Sequence, residues 1–335
     1  MMKPWSSLLR TIDIQGIAAM VTVADLSGSG PREVGARMLV AGDGQISGTI
    51  GGGRLEWQAL AEAQRMMADL EKTPTGKFYT LGPELGQCCG GAITLYFEIF
   101  DRKDIEFVRT ASSLETECRN FTVKTKLLSH GAERAISDIS NFKSGEFEQH
   151  SDGSLTARFT NDISQIWLFG AGHVGHALVN ALAPLPFHLT WLDSRPNQFQ
   201  DIERTNIDCI VSQDPVAALE QCPPGAFVII MTHSHELDFD LCARALLANR
   251  FDYVGVIGSK TKAARFKLRL KSTGLDDNAI ARLVSPLGVD TIKGKEPAMV
   301  AISITAQLLE RRKAGQQASV DRHINIADKD NSAHG

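Results

Sequence analysis

Short apolar segments alternate with longer helix-forming segments in the second half of the chain. The apolar segments predict strands at 165–169, 189–193, 208–211, 227–232, 253–257 and 282–285. A last helix is predicted from Pro297 to Arg312, because proline is favoured in the opening turn of a helix. Strands that alternate with helices are typical of a parallel sheet covered on both faces. The sequence therefore predicts a Rossmann-like α/β domain over residues 161–313, followed by a polar, disordered tail over 314–335.

The first half of the chain has a different pattern. Two apolar runs, 36–41 and 45–50, are separated by Asp43-Gly44, a dipeptide that favours a hairpin. Helices are predicted at 55–70 and near 103–115. Further strands are predicted at 17–24, 78–81, 92–100, 121–128 and 154–160. Residues 1–160 are therefore predicted to form an α+β domain that ends in a linker.

Composition excludes several classes of protein. The chain has 335 residues, 43% of them hydrophobic and 22% charged, with a net charge of −4. This balance gives no basic surface for nucleic acid, and no run of 18 apolar residues predicts a membrane span. The N-terminus lacks the features of a signal peptide, so a cytoplasmic location is expected. The six cysteines are then expected to be thiols rather than disulfides.

A glycine fingerprint opens the second domain. Gly170, Gly172 and Gly175 follow a predicted strand and lead into a predicted helix. The first glycine permits a tight turn, the second permits close approach of a pyrophosphate, and the third permits helix–strand packing. His173 and Val174 begin the helix, whose N-terminal N–H groups suit a phosphate.

An acidic residue follows the fingerprint at the expected distance. Asp193 ends the next predicted strand and could accept hydrogen bonds from a ribose diol. Arg195, two residues later, complicates that assignment. A glycine turn that binds no ligand is the alternative to the whole pattern, and an NAD(P)-dependent oxidoreductase is the alternative function.

Polar segments follow other strands of the predicted sheet. His233 and His235 could contact a ligand or a metal, although residues two apart in an extended segment share a face without any ligand. Ser259 and Lys260 could bind a phosphate, or Ser259 could simply cap a helix. The segment from Ser285 to Asp290 could close over a ligand or merely turn the chain.

The first domain lacks the acid–base group expected of a dehydrogenase, because no histidine precedes His130. It contains the vicinal pair Cys88-Cys89, flanked by Gly86 and Gly90-Gly91. The flanking glycines favour access to the thiols. Burial of both cysteines as small apolar residues is the alternative.

The ordered set of motifs resembles the XdhC/CoxI family. It comprises 28–32, 35–38, 48–56, 87–91, 169–175, 231–238, 255–259 and 286–288. The resemblance implies an accessory protein rather than an enzyme. It implies a homodimeric chaperone that binds molybdenum cofactor, of the molybdopterin type. Such a chaperone supports sulfuration of the cofactor by a cysteine desulfurase and delivery to the molybdenum subunit of xanthine dehydrogenase.

The motifs also suggest places for such a ligand. A phosphorylated pterin fits the glycine turn, and Cys88 and Cys89 are candidates for contact with the metal end of the cofactor. The form of the cofactor and the domain arrangement are left open by the sequence.

Overall fold

A computed structural model describes residues 3–82, 90–137, 146–160, 163–199 and 205–332, with side chains of the last helix as far as Ala314. The chain divides into two compact units, Met2–Asn161 and Asp162–Gly335. Within the described ranges, no helix is long and apolar enough to cross a membrane.

The first unit is α+β, as predicted. Its helices and strands in chain order are α1 (Pro4–Gln15), β1 (Ile17–Ser27), β2 (Arg37–Ala41), β3 (Ile46–Gly48), α2 (Gly53–Ala68), β4 (Thr75–Thr80), β5 (Ala92–Asp101), α3 (Ile105–Thr116), β6 (Phe121–Leu127), β7 (Ala132–Ser137), β8 (Phe147–Gln149) and β9 (Leu155–Phe159). One antiparallel sheet has the order β3-β2-β1-β5-β4, and a second has the order β7-β6-β9-β8.

Alternation along β1 places side chains on both faces of the first sheet. Ala19 and Val21 pack with Leu55 and Ala59 of α2. The intervening Ala18 and Met20 belong to another cluster, which also contains residues of α1, α3, β6 and β9. The predicted hairpin across Asp43-Gly44 is confirmed, since Met38 of β2 pairs with Gly48 of β3.

The second unit has the predicted α/β architecture. Its elements are β10 (Ser164–Phe169), α4 (His173–Leu182), β11 (Phe187–Asp193), β12 (Ile207–Val211), α5 (Pro215–Ala218), β13 (Phe227–Ile230), α6 (His235–Ala248), β14 (Tyr253–Val256), α7 (Lys260–Ser272), α8 (Asp277–Ala281), β15 (Leu283–Val284) and α9 (Pro297–Ser332).

The sheet of this unit is entirely parallel. Its strand order is β12-β11-β10-β13-β14-β15, which is the 3-2-1-4-5-6 order of dinucleotide-binding Rossmann domains. Trp167 and Phe169 of β10 pack on the face covered by α6 and α7. Ile166 and Leu168 pack on the other face, with α4 and α9. Both faces are therefore buried, and the strand order reverses between β10 and β13.

The C-terminal end differs from the sequence expectation. Helix α9 continues to Ser332, whereas a disordered tail was expected over 314–335. No proline follows Pro297, and between Pro297 and Gly335 the sequence has a single glycine, Gly315. Nothing in this stretch therefore forces the helix to stop, and its many alanine, glutamine and charged residues are adequate helix formers.

Candidate functional site

The glycine turn joins β10 to α4 at the point where the strand order reverses. Gly170 has a φ of +113°, and a Cβ there would lie 2.3 Å from the carbonyl oxygen of Met231. A Cβ on Gly175 would lie 2.5 Å from the carbonyl oxygen of Gly170. The protein's own packing therefore requires glycine at both positions.

Gly172 is different from the other two glycines of the fingerprint. Its φ of −85° is open to any residue, and a Cβ there would have no neighbour within 4 Å. It is exposed at the N-terminus of α4. Nothing in the described protein thus explains why this position lacks a side chain, and the open space is where a ligand would approach the backbone.

Helix α4 lacks a side-chain cap, because its N-cap residue is Gly172. Helices α5, α6 and α7, which also follow strands, have the N-cap residues Asp214, Ser234 and Ser259, and each side chain accepts a hydrogen bond from the first turn of its helix. His173 and Val174 form the first turn of α4, with His173 exposed. These N–H groups, without a side-chain acceptor among the described residues, suit a phosphate.

Trp191 supports the turn from beneath. Its indole nitrogen donates a hydrogen bond of 3.0 Å to the carbonyl oxygen of Gly170, and the side chain is fully buried in β11. His176 of α4 meets the same indole edge-on at 4.8 Å between ring centroids. The turn is therefore supported by a hydrogen bond and a ring contact from within the domain.

Asp193 lies next to the turn, at the end of β11. Its Oδ2 accepts a hydrogen bond of 2.7 Å from the backbone N–H of Ala171, which links the two strand ends. The same carboxylate accepts bonds from the Arg195 side chain at 2.8 Å and 2.9 Å and from the Arg195 backbone N–H at 3.0 Å. The acid is therefore engaged inside the protein rather than presented to a ribose.

These contacts explain the acidity of Asp193. Burial would raise the pKa of this carboxyl, but the Arg195 guanidinium and the two backbone N–H groups outweigh burial and lower the pKa to about 2. The carboxylate in turn raises the pKa of Arg195. The two side chains therefore form an ion pair beside the glycine turn at neutral pH.

The segment after β13 is arranged around a buried acid. Asp238 of α6 accepts hydrogen bonds from the backbone N–H and the hydroxyl of Thr232, at 2.9 Å and 2.7 Å. Its other oxygen accepts a hydrogen bond of 2.6 Å from the ammonium of Lys262 in α7. Asp238 is 1% exposed, so this pair is inside the protein. These contacts join the segment after β13 to α6 and α7.

A cavity of about 630 Å³ opens between α6 and α7 above this pair. Its lining includes Thr232, His235, Ser259, Lys262 and Arg265. His235 lies at its edge as the exposed first residue of α6, and His233 is also exposed. No group of three or more histidine, cysteine or acidic side chains with metal-binding geometry occurs among the residues that the structure describes.

The structure shows a helix cap at Ser259-Lys260. The hydroxyl of Ser259 accepts a hydrogen bond of 3.2 Å from the backbone N–H of Lys262, so Ser259 is the N-cap of α7. Lys260 is exposed at the start of the helix, whereas Lys262 points inward to Asp238. Sequence reasoning missed Lys262, and it considered Asp238 only as one of the acids that follow His233 and His235. Helical spacing could have found Lys262, since it lies four residues before the buried Phe266.

In the first unit, three glycine-rich segments approach one another. A Cβ on Gly51 would lie 2.3 Å from Pro31, and one on Gly91 would lie 2.3 Å from the carbonyl oxygen of Ser29. Ser29 also pairs with Gly90. Cys88 and Cys89 lie outside the described residues, so the structure gives no position for their side chains.

Glu56 organises the glycine loop before α2. One of its carboxylate oxygens accepts hydrogen bonds from the hydroxyl of Thr49 at 2.5 Å and from the backbone N–H groups of Ile50 and Gly52, both at 2.9 Å. Burial acts to raise the pKa of Glu56, but these hydrogen bonds lower it overall. The residue was not singled out by sequence reasoning, although an acid in the first turn of a helix is a recognisable capping signal.

The described cysteines are all free thiols. Cys118 and Cys209 are exposed, while Cys222 and Cys242 are buried. Burial raises the pKa of Cys222 to about 12, so that thiol remains protonated at neutral pH.

The fold and the glycine turn together define a protein with a Rossmann domain of the dinucleotide-binding topology. Comparison with known families is more specific. Residues 15–78 match the model of the XdhC and CoxI family, and residues 166–308 match the XdhC Rossmann domain. These two matches cover more than half of the chain, and the chain belongs to the XdhC and CoxI family.

Two individual proteins are similar to the chain. A solved structure described as a xanthine dehydrogenase from Bacillus halodurans aligns with a TM-score of 0.77 and 27% identity, covering 94% of this chain and 97% of that one. The uncharacterized protein YqeB of Escherichia coli (strain K12) is 25% identical over 299 residues. That alignment covers 87% of this chain but 43% of YqeB, so the chain spans less than half the length of that relative.

Proposed function

We propose that the protein is an accessory factor that binds molybdenum cofactor at the glycine turn of its Rossmann domain. The observation that carries this proposal is the open space at Gly172, at the uncapped N-terminus of α4. Membership of the XdhC and CoxI family supplies the expected cargo and the expected client, a xanthine dehydrogenase.

The residues fit the phosphate end of a pterin cofactor. The N–H groups of the first turn of α4 would hold a phosphate, and the absence of a Cβ at Gly172 would let it approach the backbone. Trp191 and Asp193 keep the turn in place through Gly170 and Ala171. When bound, the cofactor supplies a molybdenum centre whose terminal sulfur completes the client enzyme.

The proposal extends to partners and assembly. A homodimer would receive sulfur for the cofactor from a cysteine desulfurase and deliver the product to the molybdenum subunit of xanthine dehydrogenase. Cys88 and Cys89 would contact the sulfur-bearing end of the cofactor.

An NAD(P)-dependent oxidoreductase is the second candidate function. The strand order and the glycine turn favour it, because both are shared with dehydrogenases. The internal pairing of Asp193 disfavours binding of NAD, whose ribose diol requires a free acceptor. Calorimetry with NADH and NADPH separates this candidate from the first, since turnover with a carbonyl substrate would require tight binding of one of them.

Purification from cells that make molybdenum cofactor tests the first proposal. We expect pterin to co-purify with the wild type, detected by fluorescence after oxidation, and to be lost from Gly172→Leu. Ala264→Leu is the matched control, because Ala264 is exposed on α7. Absence of pterin, together with no stimulation of apo-xanthine dehydrogenase by the protein and added cofactor, would refute the proposal.

A further inference from the structure

Helix α7 carries a concentration of positive charge. Six of its 13 residues are basic and none is acidic. The basic residues are Lys260, Lys262, Arg265, Lys267, Arg269 and Lys271. The chain as a whole has a net charge of −4, so the cations of this helix stand out against an acidic background.

Only half of these cations have acidic partners in the part of the chain that the structure describes. Three of them pair with carboxylates of other segments, as Lys262–Asp238, Arg269–Glu236 and Lys271–Asp277. The other three side chains are exposed and make no ion pair or hydrogen bond with a described residue: Lys260, Arg265 and Lys267. Contacts within the domain therefore account for half of the positive charge of α7.

The placement of the charges works against the helix. Lys260 is in the first turn, where the helix dipole favours acidic residues. Arg265 precedes Arg269 by four residues, and like charges at this spacing repel each other. The same holds for Lys267 and Lys271. Helix stability therefore does not explain these residues, and departures from local rules are expected where a surface has a function.

An apolar side chain lies at the centre of this charged surface. Leu268 is on the outward side of α7 and is 74% exposed. Helical spacing places Lys267 and Lys271 along one side of it. Arg265 and Arg269 lie along its other side. An apolar centre with a polar rim is typical of a surface that binds another protein.

The cavity between α6 and α7 adjoins this surface. It has a volume of about 630 Å³, and Arg265 and Arg269 are part of its lining. Ile257 and Phe266 contribute apolar atoms to the same lining. A pocket of this kind can receive an anchoring side chain of a partner, and a few such anchors dominate the binding energy of protein interfaces.

We infer that the outward face of α7, comprising Leu268 with the unpaired Lys260, Arg265 and Lys267, docks an acidic surface of the client enzyme. Complementary charge of this kind speeds association and selects the partner. The inference rests on the part of the proposed function that gives the protein a client, and it does not depend on where the cargo binds.

Other occupants fit this face less well. A second copy of the chain would bring the same cations together, because a two-fold contact places one patch against itself. Nucleic acid would leave Leu268 without an apolar partner. Three unpaired cations are also few beside the roughly 6–10 phosphate contacts of a protein that binds DNA through its backbone.

Charge reversal on α7 separates docking from folding. Binding of purified apo-xanthine dehydrogenase is measured by biolayer interferometry at low and at high salt, on the wild type and on Arg265→Glu/Lys267→Glu. We expect wild-type binding to weaken as salt rises, and the variant to bind about tenfold more weakly at low salt. The melting temperature of the variant should equal or exceed that of the wild type, because each new glutamate lies four residues before a cation.

A matched control carries the same change in charge on another part of the protein. Arg10→Glu/Lys126→Glu reverses two exposed basic residues on α1 and β6, and it should bind the client as tightly as the wild type does. Leu268→Gln removes the apolar centre without changing the charge. It should weaken binding while the salt dependence of the wild type is retained.

Several results would overturn the inference. They are no binding of the client by the wild type, equal binding by wild type and Arg265→Glu/Lys267→Glu, or equal weakening in the control. A change of oligomeric state in the α7 variant would identify a second copy as the occupant, and loss of binding to transfer RNA would identify nucleic acid.

Pterin content, measured on the same preparations, separates this inference from the proposed function. Pterin on a wild-type protein that does not bind the client would refute docking alone. Salt-sensitive docking that Arg265→Glu/Lys267→Glu loses, without pterin on any preparation, would refute the cargo while leaving the role of α7 intact.

Discussion

Gly175 rests directly on Gly170: a Cβ added to Gly175 would lie 2.5 Å from the carbonyl oxygen of Gly170. The contact fixes the first turn of α4 against the end of β10. Gly172, between them in sequence, has no such neighbour. Two glycines of the fingerprint therefore serve the fold, and the third is available to serve a ligand.

Serine substitutions at these positions should separate stability from binding. Gly175→Ser should lower the free energy of unfolding by about 1–3 kcal/mol, because it forces the helix away from the strand. Gly172→Ser should change it by no more than about 0.5 kcal/mol, since serine is accepted at an N-cap. Urea denaturation provides the measurement.

The binding result should be the reverse of the stability result. Gly172→Ser should weaken ligand retention, since its side chain enters the open space and its hydroxyl competes for the N–H groups. A Gly172→Ser protein that binds ligand normally would show that the turn is not the ligand site.

The ion pair between Asp193 and Arg195 predicts a specific acid sensitivity. The folded pKa of Asp193 is about 2, below the value of about 3.9 expected for an unfolded chain. A depressed carboxyl pKa adds stability that is present above pH 4 and is lost as the pH falls towards 2. The difference in unfolding free energy between the wild type and Asp193→Asn should therefore shrink over this range. A difference that stays constant from pH 6 to pH 2 would contradict the pairing.

Removal of the Lys262 ammonium should be strongly destabilising. Lys262→Met leaves the carboxylate of Asp238 buried without a cation, and breaking a buried pair in this way costs about 3–5 kcal/mol. Lys271→Met on the same helix is the matched control, because Lys271 pairs with Asp277 at the surface and should cost less than about 1 kcal/mol. Thermal and urea denaturation of both variants give the comparison.

A double variant tests the reason for that loss. Asp238→Asn in the Lys262→Met background removes the uncompensated charge, and it should recover part of the stability. If the double variant is less stable than Lys262→Met alone, the hydrogen bonds from Thr232 rather than the charge dominate the energetics of this cluster.

Glu56 should stabilise the glycine loop of the first unit. Glu56→Ala removes the acceptor of three hydrogen bonds, two of them from backbone N–H groups, and should cost about 1–3 kcal/mol. Glu106→Ala is the control, since Glu106 is an exposed helix residue and its loss should stay within about 0.5 kcal/mol. Equal effects of the two substitutions would show that the loop does not depend on Glu56.

The cysteine pair can be tested apart from stability. Cys88→Ser and Cys89→Ser should reduce cofactor retention or sulfuration while the melting temperature stays unchanged. Cys118→Ser is the control, because Cys118 is an exposed free thiol. Normal sulfuration in the double variant Cys88→Ser/Cys89→Ser would exclude a role for this pair.

The sequence predicted the Rossmann domain well because its strands are buried on both faces and stand out as apolar runs. In the first unit, α1 was missed although Trp5, Leu8 and Ile12 have helical spacing and are buried. Strands β7 and β8 were also missed. The side chains of β7 alternate between exposed and half-buried positions, and β8 is only three residues long. The pattern of hydrophobic residues therefore gives a weak signal for both strands.

The sequence predicted where Asp193 lies, but it did not predict that Asp193 pairs with Arg195. The fingerprint placed Asp193 beside the glycine turn, and the hydrogen bond to Ala171 agrees with that position. Whether the acid faces a ligand or an internal cation depends on the side-chain conformation of Arg195, which spacing does not specify. Similarly, Lys260 and Lys262 are equivalent by composition, and only the N-cap at Ser259 determines which of them faces inward.

We propose that the turn at Gly172 holds the cargo of this protein. The most direct test of this claim is the molar ratio of pterin to protein after purification from cells that make molybdenum cofactor. We expect pterin to be bound to the wild type and to Ala264→Leu, and to be lost from folded Gly172→Leu. Equal pterin content in Gly172→Leu and wild type would contradict the claim.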